Sequence, residues 1–184
     1  MNIIACFKVV PEEQDITIMP NGDISTEKAK LAVSNYDLNA IEAGTQLVEE
    51  NGGTLAVLSV GPAKINESKL KKNVLSRGPE SLYLVADDSL DQIDTHQTAQ
   101  ALKAGIDKIG EYDLIICGEG SADLYAGQVS SQLGELLNVP SINGVSKITL
   151  ADGKAIVERK QEIIEGDSDE AIQQFIEKIA VGLR

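Results

Sequence analysis

At 184 residues the chain has room for one domain with a sizeable core, and not for two. Its formal charge of −13 argues against nucleic acid, which needs a basic face, and against an anionic membrane surface, which leaves small molecules or other proteins as expected partners. Aromatic residues make up only 3% and Trp is missing, so the core has to be aliphatic, which favours α/β layers over a β-sandwich.

The order of short apolar runs and longer helical patterns predicts the fold. Residues 3–10 read as a buried strand, and Asp15-Ile16-Thr17-Ile18 before Pro20-Asn21-Gly22-Asp23 as a short strand and turn. Residues 39–50 form a helix with Ala40, Ala43, Leu47 and Val48 on one side, ended by Asn51-Gly52-Gly53 as a left-handed cap. A strand at 55–60 follows, then a basic amphipathic helix at 64–76 that turns Ile65, Leu70 and Leu75 inward. A strand at 81–85 leads to a helix at 95–109 with Ala99, Leu102 and Ile106 inward. The strand at 113–117 is continuously apolar, as in parallel sheets. A glycine-rich loop then opens a helix at 128–137, and strands at 145–150 and 155–160 flank Ala151-Asp152-Gly153 as a hairpin. The last pattern is a helix at 169–183, with Ile172, Phe175, Ile176, Ile179 and Leu183 on one stripe.

Right-handed βαβ crossovers turn this order into an α/β fold with a doubly wound, mostly parallel sheet, a β-hairpin and a C-terminal helix, in one domain over 1–184. Such sheets take ligands at the carboxyl ends of their strands, at a switch point. Four loops are expected at that edge, at 8–13, 34–37, 60–63 and 118–129.

The last loop, Gly118-Glu119-Gly120-Ser121-Ala122-Asp123-Leu124-Tyr125-Ala126-Gly127, is the most informative. Its glycines allow close approach of a ligand, and Gln128, Ser130 and Ser131 stand where a helix N-terminus offers free N–H groups to a phosphate. It is neither G-x-G-x-x-G, since Asp123 takes the third glycine's place, nor a P-loop, since no Gly-Lys-Ser/Thr follows. On pattern alone, the loop fits a phosphate site or an ordinary connection.

Catalytic chemistry has little support. The one histidine, His96, stands at a helix start away from the expected site edge and reads as a capping or solvent-facing residue. Cys6 and Cys117 lie in apolar runs and read as buried structural thiols of a reducing compartment. Neither C-x-x-C nor H-E-x-x-H occurs, so no metal site is expected. The start lacks a basic segment followed by a long apolar stretch, and no run reaches the length of a membrane span, so a cytoplasmic protein is expected.

Several segments together resemble the β subunit of electron transfer flavoproteins, in particular its FixA-like branch. They are Cys6-Phe7-Lys8-Val9-Val10-Pro11-Glu12-Glu13-Gln14-Asp15, Ser34-Asn35-Tyr36-Asp37-Leu38-Asn39-Ala40-Ile41-Glu42-Ala43, Val74-Leu75-Ser76-Arg77-Gly78-Pro79, the stretch from Gly118 to Val129, Asn143-Gly144-Val145-Ser146-Lys147-Ile148 and Val157-Glu158-Arg159. The resemblance implies a fold related to adenine nucleotide α-hydrolases and no catalytic residue. It implies AMP or FAD as cofactor, and an electron transfer flavoprotein α subunit as partner in a heterodimer. It places nucleotide contacts on Cys6, Ser34, Asn35, Tyr36, Asp37, Val60, Gly118, Gly120, Ser121, Asp123, Gln128, Val129 and Ser130. Among these Gly120, Ser121, Gln128 and Val129 would face phosphate, and Cys6 and Val60 the adenine.

The sequence departs from that family near its end. Lys160 stands where a carboxylate is common, and Gln161-Glu162-Ile163-Ile164-Glu165-Gly166-Asp167 replaces the Leu-Pro-Ala strand and the arm that wraps the α subunit. That divergent 161–184 segment keeps a second reading open: a stand-alone, non-enzymatic adenine-nucleotide module of stress-protein type, which has lost partner docking and dimerises through its terminal helix. A third, a hydrolase of an adenylated substrate, has only fold analogy behind it.

Overall fold

The computed structural model describes residues 1–151 and 154–159; the tip of the predicted hairpin and the predicted helix at 169–183 lie outside them. Its centre is a four-stranded, all-parallel sheet of β1 (Asn2–Cys6), β6 (Thr54–Gly61), β7 (Ser81–Ala86) and β8 (Leu114–Ile116), in the order β7-β6-β1-β8. The chain builds outward from β1 to β7 and then returns to add β8 on the other side of β1. The switch point therefore lies between β1 and β8.

Helices cover both faces, as a doubly wound sheet requires. On one, α1 (Asn35–Asn51) and α2 (Ser68–Leu75) bury Ala40, Ile41, Leu47, Leu70 and Val74 against Ile3, Ala5, Leu55 and Val57. On the other, α3 (Thr95–Ile109) and α4 (Val129–Leu137) bury Ala99, Leu102, Ile106 and Leu133 against Ile4, Cys6 and Leu58. The alternation along β1 thus feeds two aliphatic cores, and each fully buried Ile or Leu contributes roughly 1.5–3 kcal/mol. A hairpin of β9 (Val145–Ala151) and β10 (Lys154–Arg159) packs Ile148 and Leu150 onto the α1 side.

Local chemistry moves several boundaries. The run at 3–10 is not one strand: β1 stops at Cys6, and β2 (Val9–Pro11) turns away to pair antiparallel with β5 (Leu31–Val33), a strand the pattern did not suggest. The break is made by Asp37, whose Oδ2 accepts the Lys8 N–H at 2.8 Å, while the Lys8 carbonyl accepts Ser34 N–H at 3.0 Å. Helix α1 starts at Asn35, four residues before the apolar period becomes visible. It closes at Gly52 with φ 74° and ψ 162°, a glycine conformation outside the left-handed helical well that the sequence suggested.

The helix expected at 64–76 is a 3-10 turn at Ala63–Asn66 followed by α2. The interruption rephases the face, so Val74 is buried and Leu75 is 43% exposed. The Asp15–Ile18 stretch forms β3 (Thr17–Ile18), paired with β4 (Ile24–Ser25). Helix α3 keeps its predicted bounds because Asp94 and Gln97 form a full capping box, with Gln97 N–H donating to Asp94 Oδ1 at 2.7 Å.

Candidate functional site

Three of the four expected loops are joined by direct hydrogen bonds at the carboxyl edge. Asp37, in the first turn of α1 and only 6% exposed, takes the Lys8 N–H from the loop after β1 and the Gly118 N–H from the loop after β8. Ser34, fully buried before α1, accepts the Ala122 N–H on its Oγ at 3.3 Å. Lys8 Nζ reaches Asp123 Oδ2 at 2.5 Å and closes the set. Residues far apart in sequence are thus tied across the switch point. The fourth loop lies at the same edge because β6 continues beyond the Cys6–Leu58 pair to Val60 and Gly61. Its hydrogen bonds run the other way, from Asp87 N–H to Gly61 O and from Ala63 N–H to Asp88 Oδ1.

Gly118 is required by close approach. A Cβ there would overlap Asp37 Oδ1 and stand 3.0 Å from the Tyr36 carbonyl carbon, so any side chain would push the carboxylate off its donors. At Gly120 the obstacle is the Tyr125 ring, which itself meets Tyr36 with centroids 5.1 Å apart at 55°. Cys6, Val60 and Val129 share the apolar cluster under α3 and α4, together with Cys117.

Charge is distributed unevenly. Burial raises Asp37 from 3.8 to about 6, against the hydrogen bonds of Lys8, Gly118 and Ser34 that favour its ionised form. Asp123 goes the other way. Burial would raise it, but hydrogen bonds from Lys8, Ser121 and the Leu124 N–H, with the Lys8 charge, hold it below the ordinary carboxylate value. The N–H groups of Val129, Ser130 and Ser131 open α4 without helical acceptors and supply a positive dipole end beside this edge.

Several predicted residues hold other partners. Gln128 Oε1 lies 3.3 Å from Thr95 Oγ1, and Ser130 Oγ donates to Asn143. The Thr95 contact also brings the start of α3, with His96, to this same edge and not away from it. His96 is exposed there and meets Gln100 at 3.2 Å. Cys117 is half-buried, not buried as its apolar run suggested. A cavity of ≈ 1020 Å³ runs from the site along β8 to the hairpin, lined by Tyr36, Cys117, Gly118, Ser130, Asn143 and Arg159 among others. Lys8 and Tyr125 were not among the predicted contacts. The available signal for Lys8 was a lone cation inside the apolar 3–10 run of an acidic chain.

A family model described as the electron transfer flavoprotein domain matches residues 22–174, most of the chain. The chain belongs to the electron transfer flavoprotein domain family. The match spans the Ser34–Asp37 turn, the whole Gly118 loop and the hairpin, while the Lys8 loop precedes it. An electron-transfer-flavoprotein-like role follows. Proteins of this family are flavin-associated electron carriers that work with partner subunits. Among the described residues, no helix is long and apolar enough to cross a membrane.

Proposed function

We propose that this electron transfer flavoprotein domain is a β-subunit-like protein of the FixA-like branch, that it binds an adenine nucleotide, AMP or FAD, as a single domain, and that it carries electrons with an α subunit. The observation that carries the reading is the joining of the Lys8, Ser34–Asp37 and Gly118 loops through Asp37, at the crevice where a doubly wound sheet takes its ligand.

The residues present suit such a ligand. The free N–H groups at the start of α4, with Ser121 and Gln128, match a phosphate. Lys8 is a cation that can move from Asp123 to the ligand, because that ion pair is exposed on one side. Val60 and Val129, half-buried in the same cluster as the closed-off Cys6, match a purine face. When bound, a flavin supplies the electron acceptance and release; this chain binds, orients and shields, with no residue acting as acid, base or nucleophile.

Denaturing the purified full-length protein and assaying the supernatant for AMP and flavin tests the nucleotide, with calorimetric titration of AMP into the stripped chain. Finding neither nucleotide, and no heat with AMP, defeats the reading. Co-expression with a candidate α subunit tests the partner. A yellow heterodimer supports the electron carrier, and a lone dimer that binds AMP supports the stand-alone module instead.

A further inference from the structure

We propose that Cys6 and Cys117 form a reversible dithiol/disulfide couple across the switch point, closed by a small-molecule disulfide that enters at Cys117. The inference concerns thiol chemistry and stands whether or not the site holds a nucleotide.

The register carries it. Strands β1 and β8 pair in parallel through Ala5 and Ile116, so the next opposed pair is Cys6 and Cys117, the only cysteines of the chain. Opposed residues of a parallel ladder project from the same face, and both thiols belong to the cluster under α3 and α4. Neighbouring strands run about 4.7–4.9 Å apart, inside the roughly 4.4–6.8 Å Cα separation that a disulfide spans.

Their environments differ in a way that orders the reaction. Cys6 is 5% exposed, whereas Cys117 is half-buried and lines the large cavity. The Cys6 thiol is held protonated by its hydrogen bond to Cys117, by burial, and by the charges of Cys117 and Asp37. Cys117 therefore attacks first. Its thiolate displaces one thiolate from the small disulfide and leaves a mixed disulfide on Cys117. That step removes the share of Cys117 in holding Cys6 protonated, while burial and Asp37 remain. Cys6 attacks Cys117 Sγ, and its proton passes to the second small thiolate as that leaves into the cavity as a thiol. Two protein thiols and one small disulfide become one protein disulfide and two small thiols, and two electrons pass from the protein sulfurs to the oxidant. Closure ties the loop that carries Lys8 to the loop that begins at Gly118.

The full-length chain is equilibrated anaerobically with reduced and oxidised glutathione at graded ratios, quenched in acid, alkylated and mapped by mass. Both thiols should disappear together, giving a monomer two hydrogens lighter with the Cys6 and Cys117 peptides linked, restored by dithiothreitol. Cys6→Ser should stop at one glutathione on Cys117, and Cys117→Ser should lose the reaction. A folded wild-type chain that stops at a single adduct, forms intermolecular disulfides or fails to react overturns the proposal. So does native Cys117→Ser that takes up glutathione on Cys6 as fast as the wild type does on Cys117. If either variant fails to fold, the wild-type map alone decides.

Discussion

Asp37 places a pH signature in the stability of this fold. Its carboxyl ionises at about 6 in the folded chain and at 3.8 when free of it, because burial penalises the charge more than its three hydrogen bonds favour it. The folded state therefore holds that proton more tightly than the unfolded one. The sign is fixed by this order: the contribution of Asp37 is fully present below 3.8 and is lost as pH rises through 6. The full loss is about 3 kcal/mol, of which about 1.4 kcal/mol falls between pH 5 and pH 7.5.

Asp37→Asn isolates it. The amide keeps one acceptor but turns NH₂ toward the Lys8 or the Gly118 N–H, a penalty that is constant in pH. The other carboxylates cancel in the difference. Lys8, Asp123 and Cys6, the titratable side chains around Asp37, remain in the variant. Urea unfolding followed by far-UV circular dichroism suits a chain without Trp. The stability margin of wild type over Asp37→Asn should shrink by about 1.4 kcal/mol from pH 5 to pH 7.5. A margin that stays flat or grows with pH refutes a carboxyl raised by burial.

Gly118→Ala should destabilise by about 3–5 kcal/mol in the same assay, since its Cβ displaces the Asp37 carboxylate and meets Tyr36 backbone that cannot yield. Lys8→Met should cost less than about 1 kcal/mol, because its ion pair with Asp123 is part-exposed, and the wild-type advantage should fade further in about 1 M salt. Asp94→Ala removes the capping box of α3 and should cost about 1 kcal/mol; a thermal midpoint equal to that of wild type would contradict the cap.

What sequence reveals here depends on where the determining atoms lie. Strands β1 and β6 are buried on both faces, and β8 at the sheet edge is partly buried; all three announce themselves as apolar runs. Helix α3 is legible to the residue because Asp94 and Gln97 are neighbours of what they cap. The break after Cys6 is invisible, since the carboxylate that takes the Lys8 N–H stands 29 residues later. Strand β5 is three residues long and exists only through its pairing with β2. The first turn of α1 reads as a polar loop because Asp37 is buried for hydrogen bonding and contributes nothing to an apolar period. The site has the same division. The glycine-rich loop and the switch point are written locally and topologically, whereas the Lys8–Asp123 contact joins side chains 115 residues apart.

A buried carboxylate that weakens the fold at neutral pH needs a reason to sit where it does, and the topology supplies one. After Cys6 the chain turns off to β2, and after Cys117 it enters the Gly118 loop, so both leave the sheet beside the start of α1. Past that point no ladder continues, so the N–H groups of Lys8 and Gly118 have no strand partner. One group with two acceptor oxygens, set on the helix that starts beside them, satisfies both. A neutral Asn satisfies one and opposes the other. The crevice is thus kept open by a residue whose charge costs stability, and the same opening leaves Cys117 reachable from the cavity while Cys6 stays sealed. Ligand access and thiol access are two consequences of one chain reversal around β1.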